Sequence, residues 1–285
     1  MSDKLLTIGM AVYDDYDGVY FTLQSLRMYH KICNTDQIEF IVIDNNPNGK
    51  HSPVISKLMK TVNGKYIPYT EKASSFNKYK VVEQSTGKYV IIMDCHVLLV
   101  ENAIDILLDY YNNHPNCKDL IQGPLLYNDL KTISTHFDQV FRGHMYGIWA
   151  TNKEAYNKGE PFEIPMQGMG FLSFERANWP GINNNFIGFG AEEWYIAEKF
   201  RQNGGKNICI PQLKWVHRFD RPEGVKYPLC LEDRVWNYFV GWYELYKDYN
   251  HQMIKDAYNH FKNELPAGRI DLILNKAKEG LNNWR

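Results

Sequence analysis

The sequence predicts an α/β fold: a mostly parallel central sheet flanked by helices and closed by a helical C-terminal extension. Three observations carry that reading. Apolar runs rich in Val and Ile alternate, over residues 5–93, with segments whose apolar residues recur at helical spacing. Several of these strand-like runs stop at polar or acidic residues, as parallel strands do where they open onto a ligand. Beyond Tyr227 the periodicity is helical to the end.

In order along the chain, Leu5 to Val12 reads as a strand and Val19 to Ile32 as a helix, with Leu23, Leu26, Tyr29 and Ile32 on one stripe. Ile38 to Ile43 is a second strand ending at Asp44, Asn45, Asn46 and Pro47, which completes a βαβ unit. Pro53 to Met59 is a short helix, Tyr66 and Ile67 a brief strand, Ser75 to Ser85 a helix and Tyr89 to Met93 a strand. Glu101 to Asn112 places Ile104, Leu107, Leu108 and Tyr111 on one helical face, and Leu120 to Leu126 is a further strand. Residues 130–165 have weak periodicity and several aromatics, and read as an insertion or flap beside the site. Asp233 to Tyr249, His251 to Glu264 and Ile270 to Lys278 are helices, the last set off by Pro266, Ala267 and Gly268. The predicted organisation is a catalytic domain over 1–228, divided into halves 1–100 and 101–228, with 229–285 as the extension.

At 285 residues the chain is long enough for a substantial core, and its formal net charge of −1 argues against a large field-driven nucleic-acid surface. Five cysteines, widely spaced and without a Cys-x-x-Cys pair, point to reduced thiols. With no apolar leader and no stretch of about 18 apolar residues, the expectation is a soluble, cytoplasmic protein. No GxGxxG or Walker signature appears, which ranks dinucleotide oxidoreductases and ATPases low.

Asp94, Cys95 and His96 end the apolar run Tyr89 to Met93. On extended chain alternate residues share a face, so Asp94 and His96 could hold one cation while Cys95 turns to the core. An isolated Asp-x-His is also what a surface Asp beside a satisfied His looks like. Glu192 and Glu193 open a helix, where the dipole alone would favour carboxylates. Gly168 and Gly170 suit either a bend or close approach of backbone to a ligand. Arg218 and Arg221 could clamp phosphate or be solvated loop residues. Trp179, Trp194 and Trp215 could stack on sugars or fill the core.

Taken in order, these places resemble the GT-A class of nucleotide-sugar glycosyltransferases, most closely the family 2 glycosyltransferases and the polypeptide N-acetylgalactosaminyltransferases. The resemblance runs from about Leu5 to Arg221. Thr7 to Tyr13 is similar to the opening strand, which implies nucleoside contacts from Ala11 and Tyr13. Ile41 to Asn46 looks like the second strand, which implies that Asp44 and Asn46 meet the base or ribose. Asp94 and His96 stand where the family has its metal motif, with His217 as the late third ligand.

The resemblance implies Mn²⁺, or Mg²⁺, as cofactor, and a nucleotide-sugar donor, most simply UDP-linked. Gly188 to Trp194 with Asn203, Gly204 and Gly205 is similar to the acceptor-side helix, which implies Glu193 as base and Glu192 as a binder of hydroxyls. The family carries Asp where this chain has Glu193. Its retaining members need no such base, and the stereochemistry stays open. Gly168 and Gly170 would lie beneath the donor sugar; Lys78, Arg218 and Arg221 would face phosphate or ribose. The implied acceptor is a saccharide or lipid-linked saccharide. A hydroxymethylated pyrimidine in DNA is the alternative, with Arg142, His144, Lys153, Lys158, Arg218, Arg221 and Lys226 lining a groove. A silent donor-binding module is a further alternative.

Overall fold

The computed structural model describes residues 4–72 and 75–280. Its first half runs β1 (Leu6–Val12), α1 (Tyr16–Tyr29), β2 (Ile38–Asp44), α2 (Ser52–Thr61), β3 (Lys65–Pro68), α3 (Ser75–Gln84), β4 (Tyr89–Asp94), β5 (Val97–Leu99) and α4 (Ala103–Asn113). There follow β6 (Leu120–Gln122), β7 (Leu125–Leu126), β8 (Ile133–Ser134), β9 (His136–Arg142), β10 (Met145–Ala150), α5 (Lys153–Lys158) and β11 (Phe162–Glu163). The last third is β12 (Phe171–Glu175), α6 (Glu192–Gln202), β13 (Asn207–Cys209), β14 (Trp215–His217), α7 (Leu231–Tyr246), α8 (Gln252–Phe261) and α9 (Arg269–Lys278).

Eight strands form the central sheet in the order β11-β13-β6-β12-β4-β1-β2-β3. β1 pairs in parallel with β2 on one side and β4 on the other, so the strand order reverses at β1 and a crevice opens beyond its carboxyl end. Register sets what lies there. Ala11 stands opposite Asp94 and Val12 opposite Asp44, which levels three strand ends at one mouth. β12 runs antiparallel to β4, and the Asp94 amide donates to the Gly170 carbonyl at 2.9 Å, which brings the residues before β12 to the same mouth.

Alternate residues of these strands feed two core layers. Leu6, Ile8, Met10 and Val12 pack with α1, α2 and α4; Ile41, Ile43, Val90 and Ile92 pack with α3, α6 and the C-terminal helices. Gly9 lies where α3 crosses β1: a Cβ there would come within 2.1 Å of a Val81 methyl. The C-terminal helices belong to this second layer, with Trp236, Tyr238, Phe239 and Trp242 of α7 fully buried beside Tyr195 and Phe200 of α6.

A second sheet, β5-β14-β7-β8, is small but decisive for the site. β5 follows directly on Asp94, Cys95 and His96, and β14 pairs with it so that His217 lies opposite Val97. A pairing across 120 residues thus delivers His217 to His96.

The structure departs from the sequence expectation in three places. The expected strand over 120–126 is two strands in different sheets, broken at Gly123 and Pro124. Pro124 cannot donate to a ladder, and a Cβ on Gly123 would collide with the Leu213 carbonyl at 1.6 Å. α1 begins at Tyr16, capped by Asp15, and ends at Tyr29, the last predicted turn being a 3₁₀ helix over Lys31–Asn34. The 130–165 segment is ordered as a β9–β10 hairpin bulged near Gly147. Among the described residues no helix is long and apolar enough to cross a membrane, and all five cysteines are free.

Candidate active site

Asp94, His96 and His217 converge from the end of β4, the turn after it and the end of β14; ligating atoms of all three lie within 4.8 Å of one another. Asp94 Oδ2 is 3.2 Å from His217 Nε2, and the two imidazole rings meet edge to face at 4.8 Å. Burial alone would raise the Asp94 carboxyl. The Lys78 charge and the His217 hydrogen bond outweigh it and hold Asp94 well below the ordinary range, so it is a carboxylate. Burial acts the other way on His217 and, against the pull of Asp94, keeps its imidazole neutral.

Asp15, at the N-cap of α1, completes the arrangement from behind. It accepts from Gly18 N at 3.0 Å, from Arg218 through both carboxylate oxygens at 2.8 and 2.9 Å, and lies 3.0 Å from His96 Nδ1. Burial raises its pKa, but these hydrogen bonds prevail and hold it far below the usual value. An ionised carboxylate only accepts, so Nδ1 of His96 donates to Asp15, the outer hydrogen bond that orients a metal-ligating histidine.

This donor set fits a divalent cation. One carboxylate and two imidazoles, one of them held by Asp15, suit Mn²⁺ better than the harder Mg²⁺. His217 Nδ1 is buried without a hydrogen-bond partner among the described residues. Lys78, from α3, grips the other Asp94 oxygen at 2.8 Å and the Met169 carbonyl at 3.1 Å. Cys95 is buried in the core, as its alternation predicts, yet its sulfur also lies 3.5 Å from His96 Nδ1.

The acidic pair opens α6 after Ala191, whose φ of +74° turns the chain sharply into the helix. Glu192 is almost fully buried, and its Oε2 has no hydrogen-bond partner among the described residues. Burial, and next the charge of Glu192, push Glu193 up to about 8, against the opposing pull of Arg234 and Lys78. Its carboxyl is therefore protonated at neutral pH and ionised in mild alkali.

These groups share one cavity of about 300 Å³. Of the residues singled out from sequence, Ala11, Tyr13, Lys78, Asp94, His96, Gly168, Gly170, Glu192, Glu193, His217 and Arg221 line it. Gly170 has no room for a side chain, since a Cβ would come within 2.7 Å of Trp215 and 3.4 Å of Asp94.

Asp44, Asn46 and Arg218 do not line it. Asp44 is fully buried and spent on Ser52 Oγ at 2.5 Å, Tyr66 Oη at 2.6 Å and Asn46 N at 2.9 Å, so it shapes the β2 turn. Asn45 takes the expected place at the cavity. Arg218 lines a smaller adjoining cavity of about 130 Å³, shared with Tyr13, Asp15 and Arg221. The sequence puts Asp15 near the strand-end mouth without a role, which its contacts with His96 and Arg218 supply. Phe137, Met145 and Trp149 of the hairpin, with Tyr227, were not singled out from sequence; together with Phe189 they add an apolar, mostly aromatic wall to the cavity. The signal for the hairpin residues was the density of aromatics in 130–165.

The sequence profile described as Glycosyl transferase family 2 matches residues 7–176. No curated protein sequence matches the chain. Among solved structures, GalNAc-T7 with UDP, GalNAc and Mn²⁺ is similar at a TM-score of 0.71 and 14% identity, over 98% of this chain and 54% of that one. This chain thus spans about half of that protein's length. The mannosyltransferase PcManGT from Pyrobaculum calidifontis, in complex with GDP-Man and Mn²⁺, gives 0.59 at 13% identity, over 96% and 73%. S. aureus TarS 1-349 in complex with UDP-GlcNAc gives 0.53 at 12% identity, over 96% and 71%. Likenesses at such low identity establish the GT-A fold.

Proposed function

The chain belongs to glycosyl transferase family 2, and from that premise we propose that it moves a sugar from a UDP-linked donor to a saccharide hydroxyl in a Mn²⁺-dependent reaction. The observation that carries this reading is the convergence of Asp94, His96 and His217 within 4.8 Å, in the same cavity as an acidic pair. A divalent cation held by those three residues would supply the charge that offsets the negative charge building on the departing diphosphate.

The protein's own residues supply the rest. Ala11, Tyr13, Asn45 and Asn77 form the nucleoside end; Lys78 and Arg221 face the phosphates; Gly168 and Gly170 leave room beneath the sugar. The buried, unpartnered Glu192 Oε2 accepts from a sugar hydroxyl. Glu193 takes the proton from the acceptor hydroxyl as that oxygen bonds to the anomeric carbon and the bond to the diphosphate breaks. A carboxyl raised to about 8 is well matched to such a proton. Glu193→Gln should abolish transfer while nucleotide binding persists; normal transfer would remove Glu193 from the chemistry.

A saccharide acceptor is favoured over DNA by the state of the basic side chains. Arg218 is neutralised by Asp15, Lys226 by Glu223 and Asp14, and Lys158 by Glu154. An aromatic wall with adjacent carboxylates is the chemistry that grips a sugar ring. Incubation with a panel of UDP-sugars and saccharides tests the whole. We expect sugar transfer or slow donor hydrolysis with Mn²⁺ and none with EDTA; donor consumption indifferent to EDTA would refute metal dependence.

A further inference from the structure

We propose that Arg234, in the first turn of α7, is a positioning residue that ties the β9–β10 hairpin and the 187–191 turn into one acceptor-side wall. The inference rests on the reading of Glu193 as the proton acceptor and adds what holds that residue in place.

Arg234 touches both halves of the wall. Its Nη1 donates to the His144 carbonyl at 2.7 Å, at the hairpin tip directly before Met145. Its guanidinium lies over the Phe189 ring, 5.3 Å from the centroid. Between them runs Gly190, at φ +103°, where a Cβ would stand 2.3 Å from Arg234 Nε. No other residue type would let the turn pass this side chain. Met145 and Phe189 both line the cavity, and the turn runs straight into Ala191, Glu192 and Glu193. Arg234 Nε is itself buried without a partner among the described residues.

The next turn of α7 makes the same two attachments. Asn237 Oδ1 accepts from Ile187 N at 2.9 Å, while its Nδ2 donates to the Ile187 carbonyl at 2.7 Å and the Gly190 carbonyl at 3.0 Å. Tyr238 Oη accepts from Tyr146 N at 2.6 Å. Asn237 and Tyr238 could hold the backbone alone, but only Arg234 adds a positive charge. The groups facing Glu193 are Glu192 on its own helix, Lys78 and Tyr79 on α3, and Arg234 and Tyr238 on α7. Of the two cations, Lys78 is committed to Asp94.

Infrared-monitored titration of the full chain tests this without any substrate, taking as the Glu193 signal the carboxyl band that Glu193→Gln removes. The wild-type midpoint should lie near 8. Arg234→Gln should raise it by about half a unit to one unit, and Arg234→Lys, which keeps the charge, should leave it near wild type. Hydrogen exchange of amides 144–149 and 187–190 should quicken roughly tenfold in Arg234→Gln, and also in Arg234→Lys, which lacks the planar fork.

An unmoved midpoint together with unchanged exchange in Arg234→Gln would overturn the proposal. Should that variant fail to fold, Arg234→Lys decides, since unaltered exchange there contradicts the tie. Retained transfer by Glu193→Gln would refute the base and leave the tie standing; a dead Glu193→Gln with an indifferent Arg234→Gln would do the reverse.

Discussion

At Asp94 two demands meet that mutagenesis can separate. Its carboxylate neutralises the buried Lys78 and is also the proposed cation ligand. Asp94→Asn should therefore lose Mn²⁺ binding and also about 3 kcal/mol of stability, because it strands the Lys78 ammonium. Adding Lys78→Met should restore much of the stability, read by urea unfolding, and none of the Mn²⁺ affinity. Restored affinity would place the cation elsewhere. The Glu193 titration predicts a rate that climbs with pH to about 8, since the protonated carboxyl below that point cannot take a proton. A rate flat between pH 6 and 8, measured under donor saturation, would remove Glu193 from the rate-determining proton transfer. Asp94 and His96 were legible in the sequence because a Val- and Ile-rich strand runs into them within three residues. Asp15 was legible only as a residue near the end of the first strand, and only the fold shows it against His96 and Arg218.

Among the elements, the close approach of α3 to β1 is set by the bare Gly9 against Val81. Gly9→Ala should cost about 1–3 kcal/mol, with Val81→Ala as a partial rescue, because the added methyl overlaps a rigid β-branched side chain. Gly9→Ala at wild-type stability in denaturant titration would contradict the packing. The strands and helices of the first hundred residues were readable because each is specified by its own local pattern. The division at Gly123 and Pro124 was harder to see. Leu120 to Leu126 has the composition of one strand, and what splits it, besides Pro124, is the Leu213 carbonyl against Gly123 and the distant partners β13 and β14. Asp44 does not line the cavity for a similar reason, its carboxylate being claimed by Ser52 and Tyr66 from the two elements that follow it. His217 could be placed only by family resemblance, since the β5–β14 pairing that positions it has no local signature.

For the whole molecule, the buried titratable groups set the pH range of stability. His30 is 1% exposed, its Nδ1 has no partner among the described residues, and burial keeps its pKa below the ordinary value despite Asp105 and Glu101. The unfolded chain therefore binds this proton more readily than the folded one. Stability should decline as pH falls below about 6.5, by up to about 1.4 kcal/mol per pH unit per such group, and His30→Leu should flatten the slope in urea midpoints between pH 7 and 5. An unchanged slope would show that His30 does not drive it. The helices beyond residue 230 share the core of α6 and grip the hairpin and the 187–191 turn, so the aromatic wall depends on parts of the chain separated by about a hundred residues. That dependence is why the aromatic wall was not legible in the sequence. The central claim is that Asp94, His96 and His217 jointly hold the cation that the donor diphosphate needs, and calorimetric titration of Mn²⁺ and UDP into the wild type, Asp94→Asn and His217→Ala tests it most directly. The account predicts one Mn²⁺ per chain that tightens UDP binding in the wild type, with that coupling lost in both variants. Undiminished coupling in either variant would contradict it.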